Sequence, residues 1–478
     1  MVPVPGVFRT GGTDLALSAG MNGKPFETHL DWSGYASYGI GDAYADVPAN
    51  GGDFARAVAV CIGNRQCQRT GIGVMCPSFR ITDDPAHSTR ERIVALKAAL
   101  NGQLNDEFGA DAFTHARLHE ALDLCVSCKG CKRECPNGVD MASLKIEALA
   151  QRNAVQGVPR RDALLARLPR LLHRWPVLAT LLRWRNRVPL LARLGEQLTG
   201  ISARRRLPEP AGRGFDVVPE LEMPDATLSG REVVLLVDTW TRYFEPRIAE
   251  AALAVLRAGG YRVLVAEPAA DDAEPSRPLC CGRSHLSAGM VEEARAEARR
   301  LLAALTPHVA AGRPVIGLEP SCLIGLKDEY RKLGLGDGAA ELAKQALLFE
   351  EFLAAEHAAG RLALDLKPIG GRALVHGHCH QKAFGAMKSV RKVLKLIPGL
   401  DAEMLETSCC GMAGGFGYEA EHHDVSMQMA EQSLLPAVRA AAPEDFILAD
   451  GFSCRHQIRD GSGREPRHVA ELLYAALS

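Results

Sequence analysis

The C-terminal half of the chain alternates two periods. Short apolar runs, REVVLLVD (Arg231–Asp238), YRVLVAEP (Tyr261–Pro268), RPVIGLEP (Arg313–Pro320), GRALVHGH (Gly371–His378) and DFILADG (Asp445–Gly451), predict strands. Between them lie segments of helical spacing, such as MVEEARAEARRLLAAL (Met290–Leu305). Strands alternating with helices predict α/β layers on parallel sheet. The pattern also repeats. VDTWTRYFEP is followed by a helix and strand, LCCGRSHLSAG, a helix and GLEPSC; HGHCHQKAFG is followed by a helix and strand, SCCGMAGGFG, a helix and DGFSC. Two copies of one α/β unit are expected, about 231–335 and 370–470, related by a pseudo-twofold axis.

The N-terminal half reads differently. HSTRERIVALKAAL (His87–Leu100) places Ile93, Leu96 and Leu100 at helical spacing behind the capping residues Ser88 and Thr89. HARLHEALDLC (His115–Cys125) and VDMASLKIEALAQ (Val139–Gln151) also predict helices. Residues 1–52 have no clear period and group Trp32, Tyr35, Tyr38 and Tyr44, an extended arm that is either a disordered or loosely packed leader or an aromatic segment that docks on a partner. From Arg152 to Arg206 thirteen arginines face only Asp162 and Glu196, with leucines, Trp175 and Trp184 between them, a basic amphipathic stretch that reads either as a solvated helical linker or as a docking face for an anionic membrane surface or an acidic partner. RRRLPEPAGRG (Arg204–Gly214) reads as a linker.

Length and charge narrow the classes. The chain has 478 residues, too many for one core, and a formal net charge of -1, which gives no overall bias toward nucleic acid. No apolar run is long enough for a transmembrane helix. The opening MVPVPGVFRTGGTD lacks a basic start followed by an apolar core, so a reducing, cytoplasmic setting is expected.

Fourteen cysteines change the picture most. CVSCKGCKRECP supplies Cys125, Cys128, Cys131 and Cys135-Pro136, the C-x2-C-x2-C-x3-C-P run of two-cluster ferredoxins. Two-residue spacers wrap the backbone around a cubane, and the fourth cysteine is carried to the other cluster. Zinc sites more often use two separated pairs. The other half is CIGNRQCQRTGIGVMCP, with Cys61, Cys67 and Cys76-Pro77. By the cross-over rule Cys76 joins Cys125, Cys128 and Cys131 on one [4Fe-4S] cluster. Cys61, Cys67 and Cys135 form a second set, with Asn64 where a fourth cysteine would stand. Three thiolates fit a [3Fe-4S] cluster or a four-iron cluster with another fourth ligand. Lys129, Lys132, Arg133 and Arg80 stand near these cysteines, where cations raise a cluster's potential. The remaining cysteines are Cys280, Cys281 and Cys322 in the first repeat, and Cys379, Cys409, Cys410 and Cys454 in the second. Adjacent cysteines followed by glycine suit an irregular cluster approached closely by backbone. His376, His378 and His380 flank Cys379, as ligands or as donors to sulfur.

MCPSFRITDDPAHSTR, DLCVSCKGCKRECPNGVDM, LCCGRSHLSAG, LEPSC, HGHCHQKA, CCGMAGGFGYEAEH and ADGFSCR together resemble the iron–sulfur portion of FAD-linked D-2-hydroxyacid (glycolate and D-lactate) dehydrogenases. The repeated unit is similar to the cysteine-rich (CCG) domain of heterodisulfide reductase and of the anaerobic glycerol-3-phosphate dehydrogenase iron–sulfur subunit. Against that pattern, Asp238 and Glu319 replace cysteines of the first repeat, and Gly451 stands where the second repeat's C-x2-C pair would begin. The resemblance therefore implies one CCG cluster on Cys379, Cys409, Cys410 and Cys454. Cys280, Cys281 and Cys322 either complete a shared site or mark a degenerate one.

The resulting expectation is an α+β and α/β multidomain protein. Its parts are an arm (1–52), a helical two-cluster ferredoxin-like domain (53–155), a basic helical linker (156–215) and two tandem CCG-type repeats (216–340 and 341–478). No Gly-x-Gly-x-x-Gly follows a strand; GIGDAY and GIGVMC fail at the third glycine. FAD and the hydride chemistry are therefore expected on a partner dehydrogenase subunit. This chain would pass electrons toward a quinone or cytochrome, with peripheral contact at the inner membrane surface through residues 152–206. The rival reading is a thiol–disulfide oxidoreductase of the heterodisulfide reductase kind, or the electron-transfer subunit of another flavin dehydrogenase.

Overall fold

The computed structural model describes residues 26–69, 71, 73–104, 110–216 and 231–478. Residues 1–25 of the expected arm lie outside this range.

Two parallel sheets form the C-terminal half. The first comprises β1 (Glu232–Leu236), β2 (Arg262–Val265), β3 (Val315–Gly317) and β4 (Ala346–Leu348) in the order β2-β1-β3-β4. The second comprises β5 (Gly371–Val375), β6 (Leu400–Met404) and β7 (Phe446–Leu448) in the order β6-β5-β7. All pairings are parallel, with Val234 opposite both Leu264 and Val315, and Leu374 opposite both Glu403 and Ile447. The five apolar runs each hold a strand. β4 escapes the pattern because its three residues run directly into the helix Phe349–Ala358. It lies beyond residue 340, where the sequence divides the repeats, yet Leu347 pairs with Ile316 of β3. The first sheet therefore extends further along the chain than expected.

Burial on both faces explains why β1 reads as a continuous apolar run. Val234 and Leu236 enter one core, with Phe54, Leu96 and Leu144 of the N-terminal region. Val233 and Leu235 enter a second core, which also holds Ala373 and Val375 of β5. That second core is filled from the helices Pro246–Ala258, Phe349–Ala358, Met387–Leu394 and Val469–Ala476. The two sheets thus share an apolar interior.

The three N-terminal helices form at Thr89–Leu100, Ala116–Asp123 and Met141–Gln156, capped by the side chains of Ser88, His115 and Asp140. The aromatic segment does not extend toward a partner at its start. Trp32 is buried, with its ring centroid 5.1 Å from that of Phe54. The buried Glu147 carboxylate accepts from His29 N (2.9 Å), Leu30 N (2.9 Å) and Trp32 Nε1 (3.1 Å). These bonds satisfy donors that burial would otherwise leave unpaired. Tyr44 remains exposed.

The basic stretch is folded as four helices between Arg160 and Thr199. Much of its charge turns inward. Arg205 is buried and pairs with Asp460 at 2.7 Å, and Arg161 pairs with Glu421 (2.7 Å) and Glu419 (3.3 Å).

A histidine clamps the N-terminal region to the second sheet's unit. His422 Nε2 lies 2.8 Å from Asp123 at the end of the helix Ala116–Asp123, and Nδ1 lies 2.6 Å from Glu419. Burial alone would lower its pKa, but the hydrogen bonds to Asp123 and Glu419 push it up to about 9. A folded pKa above the unfolded value stabilises the fold fully below about pH 6.5, and this stabilisation fades as pH rises through about 9. Because the Asp123 side chain is half exposed and solvent screens the pair, the expected contribution at neutral pH is roughly 1 kcal/mol. Thermal unfolding should therefore show the wild type losing stability between pH 7 and 10, and His422→Asn losing less over that range. Parallel pH profiles for the two chains would refute the clamp.

Candidate metal centres

The cysteine loops are built on backbone that side chains rarely favour. Arg65, Cys76, Ser127 and Lys129 have φ of 57°, 51°, 48° and 60°, in the left-handed region. Such conformations persist where the surroundings over-determine them, typically at functional sites. Here they turn the chain back so that successive thiols converge. Cys76, Cys125, Cys128 and Cys131, from the two separate runs, line one cavity. Thr89 sits between two of them, with Oγ1 2.9 Å from Cys76 Sγ and 3.0 Å from Cys131 Sγ. Hydrogen bonds from the Cys131 and Cys67 thiols, helped by the Arg92 charge, hold Cys76 well below the usual thiol range. A soft, preformed four-sulfur cage fits an iron–sulfur cluster.

Positive charge is supplied from inside. Arg92 is buried, with Nη1 3.9 Å from Cys76 Sγ, and is fixed by Nη2 to Ser78 Oγ (2.8 Å) and Nε to Ala121 O (2.9 Å). Lys145 Nζ donates to Cys125 O at 2.7 Å, and burial lowers its pKa. Of the four cations expected near the cysteines, Lys129 and Lys132 are already compensated. Lys129 pairs with Asp328 and Glu329 at 2.5 Å each; Lys132 pairs with Asp328 and, at 2.9 Å, with Asp140. Arg80 is spent on backbone, donating to Met75 O at 3.0 Å. Arg92 and Lys145 were not among the expected cations. The available signal was an arginine four residues before Leu96, inside the apolar stripe of its helix.

Cys67 is buried, and Cys61 and Cys135 are half-buried. Burial raises the Cys61 pKa, and Cys135 raises it further. Asn64 is bound at both ends of its amide: Nδ2 donates to Asn137 Oδ1 (2.8 Å) and Oδ1 accepts from Gln66 N (3.0 Å). Its side chain is thus fixed on the exposed face of the loop.

Cys379, Cys409, Cys410 and Cys454 are all buried beyond the C-terminal ends of β5, β6 and β7, where parallel sheets gather ligands. A hydrogen bond from the Cys409 thiol pushes Cys379 down to about 6, and bonds from Cys409 and Cys454 hold Cys410 well below the thiol range. The buried Lys382 ammonium binds Thr407 O (2.6 Å), Thr407 Oγ1 (2.7 Å) and Ser408 O (3.2 Å). An ammonium only donates, so the Thr407 hydroxyl hydrogen is free for His376 Nδ1, 2.8 Å away. Nε2 then carries the proton, and a ring nitrogen of His376 lies within 4.8 Å of the Cys410 and Cys454 sulfurs. Burial pushes His376 down to about 4, so the ring is neutral at pH 7, and its Nε2 makes no hydrogen bond among the described residues. His378 Nδ1 accepts from His380 N (3.1 Å) as a helix cap.

Both Cys-Cys-Gly turns use the glycine physically. Gly282 and Gly411 have φ of 75° and 84°. A Cβ on Gly411 would stand 2.2 Å from Ser426 O, and one on Gly282 would stand 3.0 Å from Ala294 O.

The first unit holds Cys280, Cys281 and Cys322, with the Cys281 and Cys322 sulfurs 3.0 Å apart. The carboxylates that replace cysteines there cap helices. Asp238 accepts from Trp240 N (2.9 Å), Thr241 N (3.1 Å) and Thr241 Oγ1 (2.7 Å). Burial and the nearby Glu319 push it up to about 6. Glu319 accepts from Ser321 Oγ (2.7 Å) and, across the units, from Phe452 N (2.8 Å).

The sulfur sets of different regions meet. Val74, Cys128, Cys379 and Cys409 form one buried cluster. His380 Nε2 lies 3.1 Å from Ser127 O, and Ser408 Oγ donates to Val74 O at 3.2 Å.

Residues 57–139 match the 4Fe-4S dicluster domain, and residues 373–459 match the cysteine-rich domain. The chain is an iron–sulfur protein. The first match contains all seven N-terminal cysteines and the second contains Cys379, Cys409, Cys410 and Cys454. Cys280, Cys281 and Cys322 lie outside both. The chain is 24% identical to D-2-hydroxyglutarate dehydrogenase of Escherichia coli (strain K12), over 87% of this chain and 43% of that protein. It is 26% identical to one of the subunits of that organism's anaerobic glycerol-3-phosphate dehydrogenase, over 52% of this chain and 59% of the relative. It is 23% identical to the glycolate oxidase iron-sulfur subunit of the same organism, over 88% of this chain and 96% of the relative. The chain thus spans less than half the length of the D-2-hydroxyglutarate dehydrogenases it matches. The resemblance to iron–sulfur subunits of dehydrogenases holds across both domains.

Gly451 has a steric cause. A Cβ there would stand 2.5 Å from His378 Cδ2 and 3.3 Å from Cys454 Sγ. Gly451→Ala should cost about 1–3 kcal/mol through overpacking, read as a lower melting temperature. Adding His378→Ala should restore part of the loss. A Gly451→Ala chain as stable as wild type would show that the ring yields freely.

Proposed function

We propose that this chain is the iron–sulfur electron-transfer component of a flavin-dependent D-2-hydroxyacid dehydrogenase. The observation that carries the reading is the buried cluster of Val74, Cys128, Cys379 and Cys409, which brings the sulfur sets of two regions together. Cys76, Cys125, Cys128 and Cys131 are the ligand set of one [4Fe-4S] cluster. Cys61, Cys67 and Cys135 hold a second cluster, of three or four irons, whose remaining corner lacks a thiolate. Cys379, Cys409, Cys410 and Cys454 hold a CCG-type cluster. Bound clusters would supply one-electron chemistry. The chain's own groups exclude water, set the sulfur positions and, through Arg92, Lys145 and Lys382, offset thiolate charge.

The two parallel units are read as copies of one fold. Their matching β2-β1-β3 and β6-β5-β7 orders and their two Cys-Cys-Gly turns support this. Division near 1–52, 53–155 and 156–215 fits the arm, the ferredoxin-like domain and the basic helices, with the first α/β unit continuing through β4. Hydride removal from a hydroxyacid such as glycolate or D-lactate is assigned to a partner FAD subunit, and a quinone or cytochrome is the acceptor. A peripheral position on the cytoplasmic face of the inner membrane suits that acceptor. A second reading, thiol–disulfide chemistry, draws on the close Cys281 and Cys322 sulfurs. Turnover of a disulfide by this chain without a flavoprotein would favour it.

Gentle affinity purification should yield a brown protein with iron, sulfide and a flavoprotein, active on a panel of D-2-hydroxyacids. A colourless, zinc-loaded chain that carries no flavoprotein would overturn the proposal. Arg92→Gln should lower one reduction potential by about 100 mV, from the loss of a buried charge several ångströms from sulfur. Lys132→Gln, whose charge is balanced by Asp140 and Asp328, should shift it far less. Potentiometric titration followed by electron paramagnetic resonance reads both, and equal shifts would remove Arg92 from this role.

A further inference from the structure

The helices Val177–Arg187 and Pro189–Thr199 form a hairpin that rests on the chain through Leu178, Leu182, Arg183, Arg185 and Asn186 and leaves its other residues largely exposed. The first has no buried residue and the second has only Ala192. Val177, Leu181 and Trp184 follow one helical face and are 59%, 54% and 58% exposed. Leu190, Leu194 and Leu198 follow a face of the second helix at 73%, 49% and 76%. Trp175, at the entry to the hairpin, is 55% exposed. Contiguous apolar exposure of this kind marks an interaction surface.

The charge on the hairpin is also biased: its one acidic residue, Glu196, accepts from Ala203 N. No acidic residue occurs from Ala163 to Gly195, while Arg167, Arg170, Arg174, Arg183, Arg185, Arg187 and Arg193 do. Arg167 and Arg170 pair with Glu293 and Glu297, and Arg183 and Arg185 donate to carbonyls at Pro210 and Ser202. Arg174, Arg187 and Arg193 are exposed and make no polar contact with the described residues. Exposed indoles, exposed leucines and unpaired guanidinium groups therefore occupy one stretch, from Arg174 to Leu198.

We infer that this hairpin docks in the headgroup region of an anionic lipid bilayer. Apolar side chains leave water at the acyl boundary, indole rings favour the interface, and the free arginines meet phosphate headgroups in the same plane. An acidic protein groove would satisfy the arginines but not two tryptophans beside five aliphatic residues. Each helix has eleven residues, about 16 Å long, too short to cross a hydrocarbon core. No helix among the described residues is long and apolar enough to span a membrane. Pro176 and Pro189 open the two helices. They set the backbone in advance, which lowers the ordering cost of docking. The inference rests on the peripheral membrane position proposed above and assigns it to one element; the inward-paired arginines elsewhere in 152–206 take no part.

The test uses the full chain with its iron in place. Sedimentation with vesicles of phosphatidylcholine and phosphatidylglycerol should carry the protein down, and vesicles of phosphatidylcholine alone should carry much less. Arg174→Gln, Arg187→Gln and Arg193→Gln should each weaken binding roughly fivefold. Leu181→Asp with Leu190→Asp should abolish it, with iron content and visible spectrum unchanged. If the doubly substituted chain binds like wild type, the membrane contact lies elsewhere and the hairpin assignment falls. Absence of binding to either vesicle overturns the hairpin and the membrane position together, while electron transfer is judged separately by the flavin that co-purifies. A wild-type dimer that the double substitution dissociates would show that a second copy covers this face, and would also overturn the inference.

Discussion

Thiolate sulfur buried in protein is costly unless positive charge is buried with it, and this constraint organises the molecule. A cation on a flexible surface side chain would be screened by water. The chain instead places Arg92 and Lys145 behind the N-terminal cysteines and Lys382 behind Cys379, Cys409, Cys410 and Cys454. Each is fixed by carbonyls or hydroxyls, so the charge stays in position when the sulfurs change state. The helices bearing Arg92 and Lys145 also supply Ile93, Leu96 and Leu144 to the core. Packing and charge placement are thus served by the same elements.

The same economy joins the parts of the chain. Lys129, between Cys128 and Cys131, is held by Asp328 and Glu329 of the first α/β unit. The carbonyl of Ser127 meets His380 of the second. Glu319 of the first unit caps its own helix and accepts from Phe452 N of the second. A single cysteine loop is therefore gripped from two sides by units that share a core. The sulfur sets are neighbours because of these polar contacts as well as the apolar ones.

The motifs made the chemistry readable, because metal ligation restricts spacing more than packing does. The convergence of Cys76 with Cys125, Cys128 and Cys131 in one cavity follows the order of cysteines along the chain. The alternating apolar runs carried most of the sheet, since strands buried on both faces leave an unmistakable record. β4 was illegible because three residues merge into a helix. The fate of the charges was also hidden. Lys132 and Arg92 look alike in sequence, yet one is neutralised by Asp140 and Asp328, distant along the chain or beyond a turn, and the other is free to act on sulfur. Trp32 likewise sits in a segment that reads as a loose arm, and only Glu147, more than a hundred residues away, reveals it as core.

Asp238 and Glu319 look, in the sequence, like lost ligands. Each serves as a helix cap, and Gly451 serves as the space into which a histidine ring fits. The glycine is therefore not a vacancy awaiting its cysteine. With the His378 ring 2.5 Å from where any Cβ would stand, a cysteine at this position would press on the ring. Its entry would require the ring to move first, and the ring is also the cap that starts the helix bearing Cys379. The constraint runs one way: as long as the His378 ring keeps its place, position 451 gains a side chain only at the expense of stability.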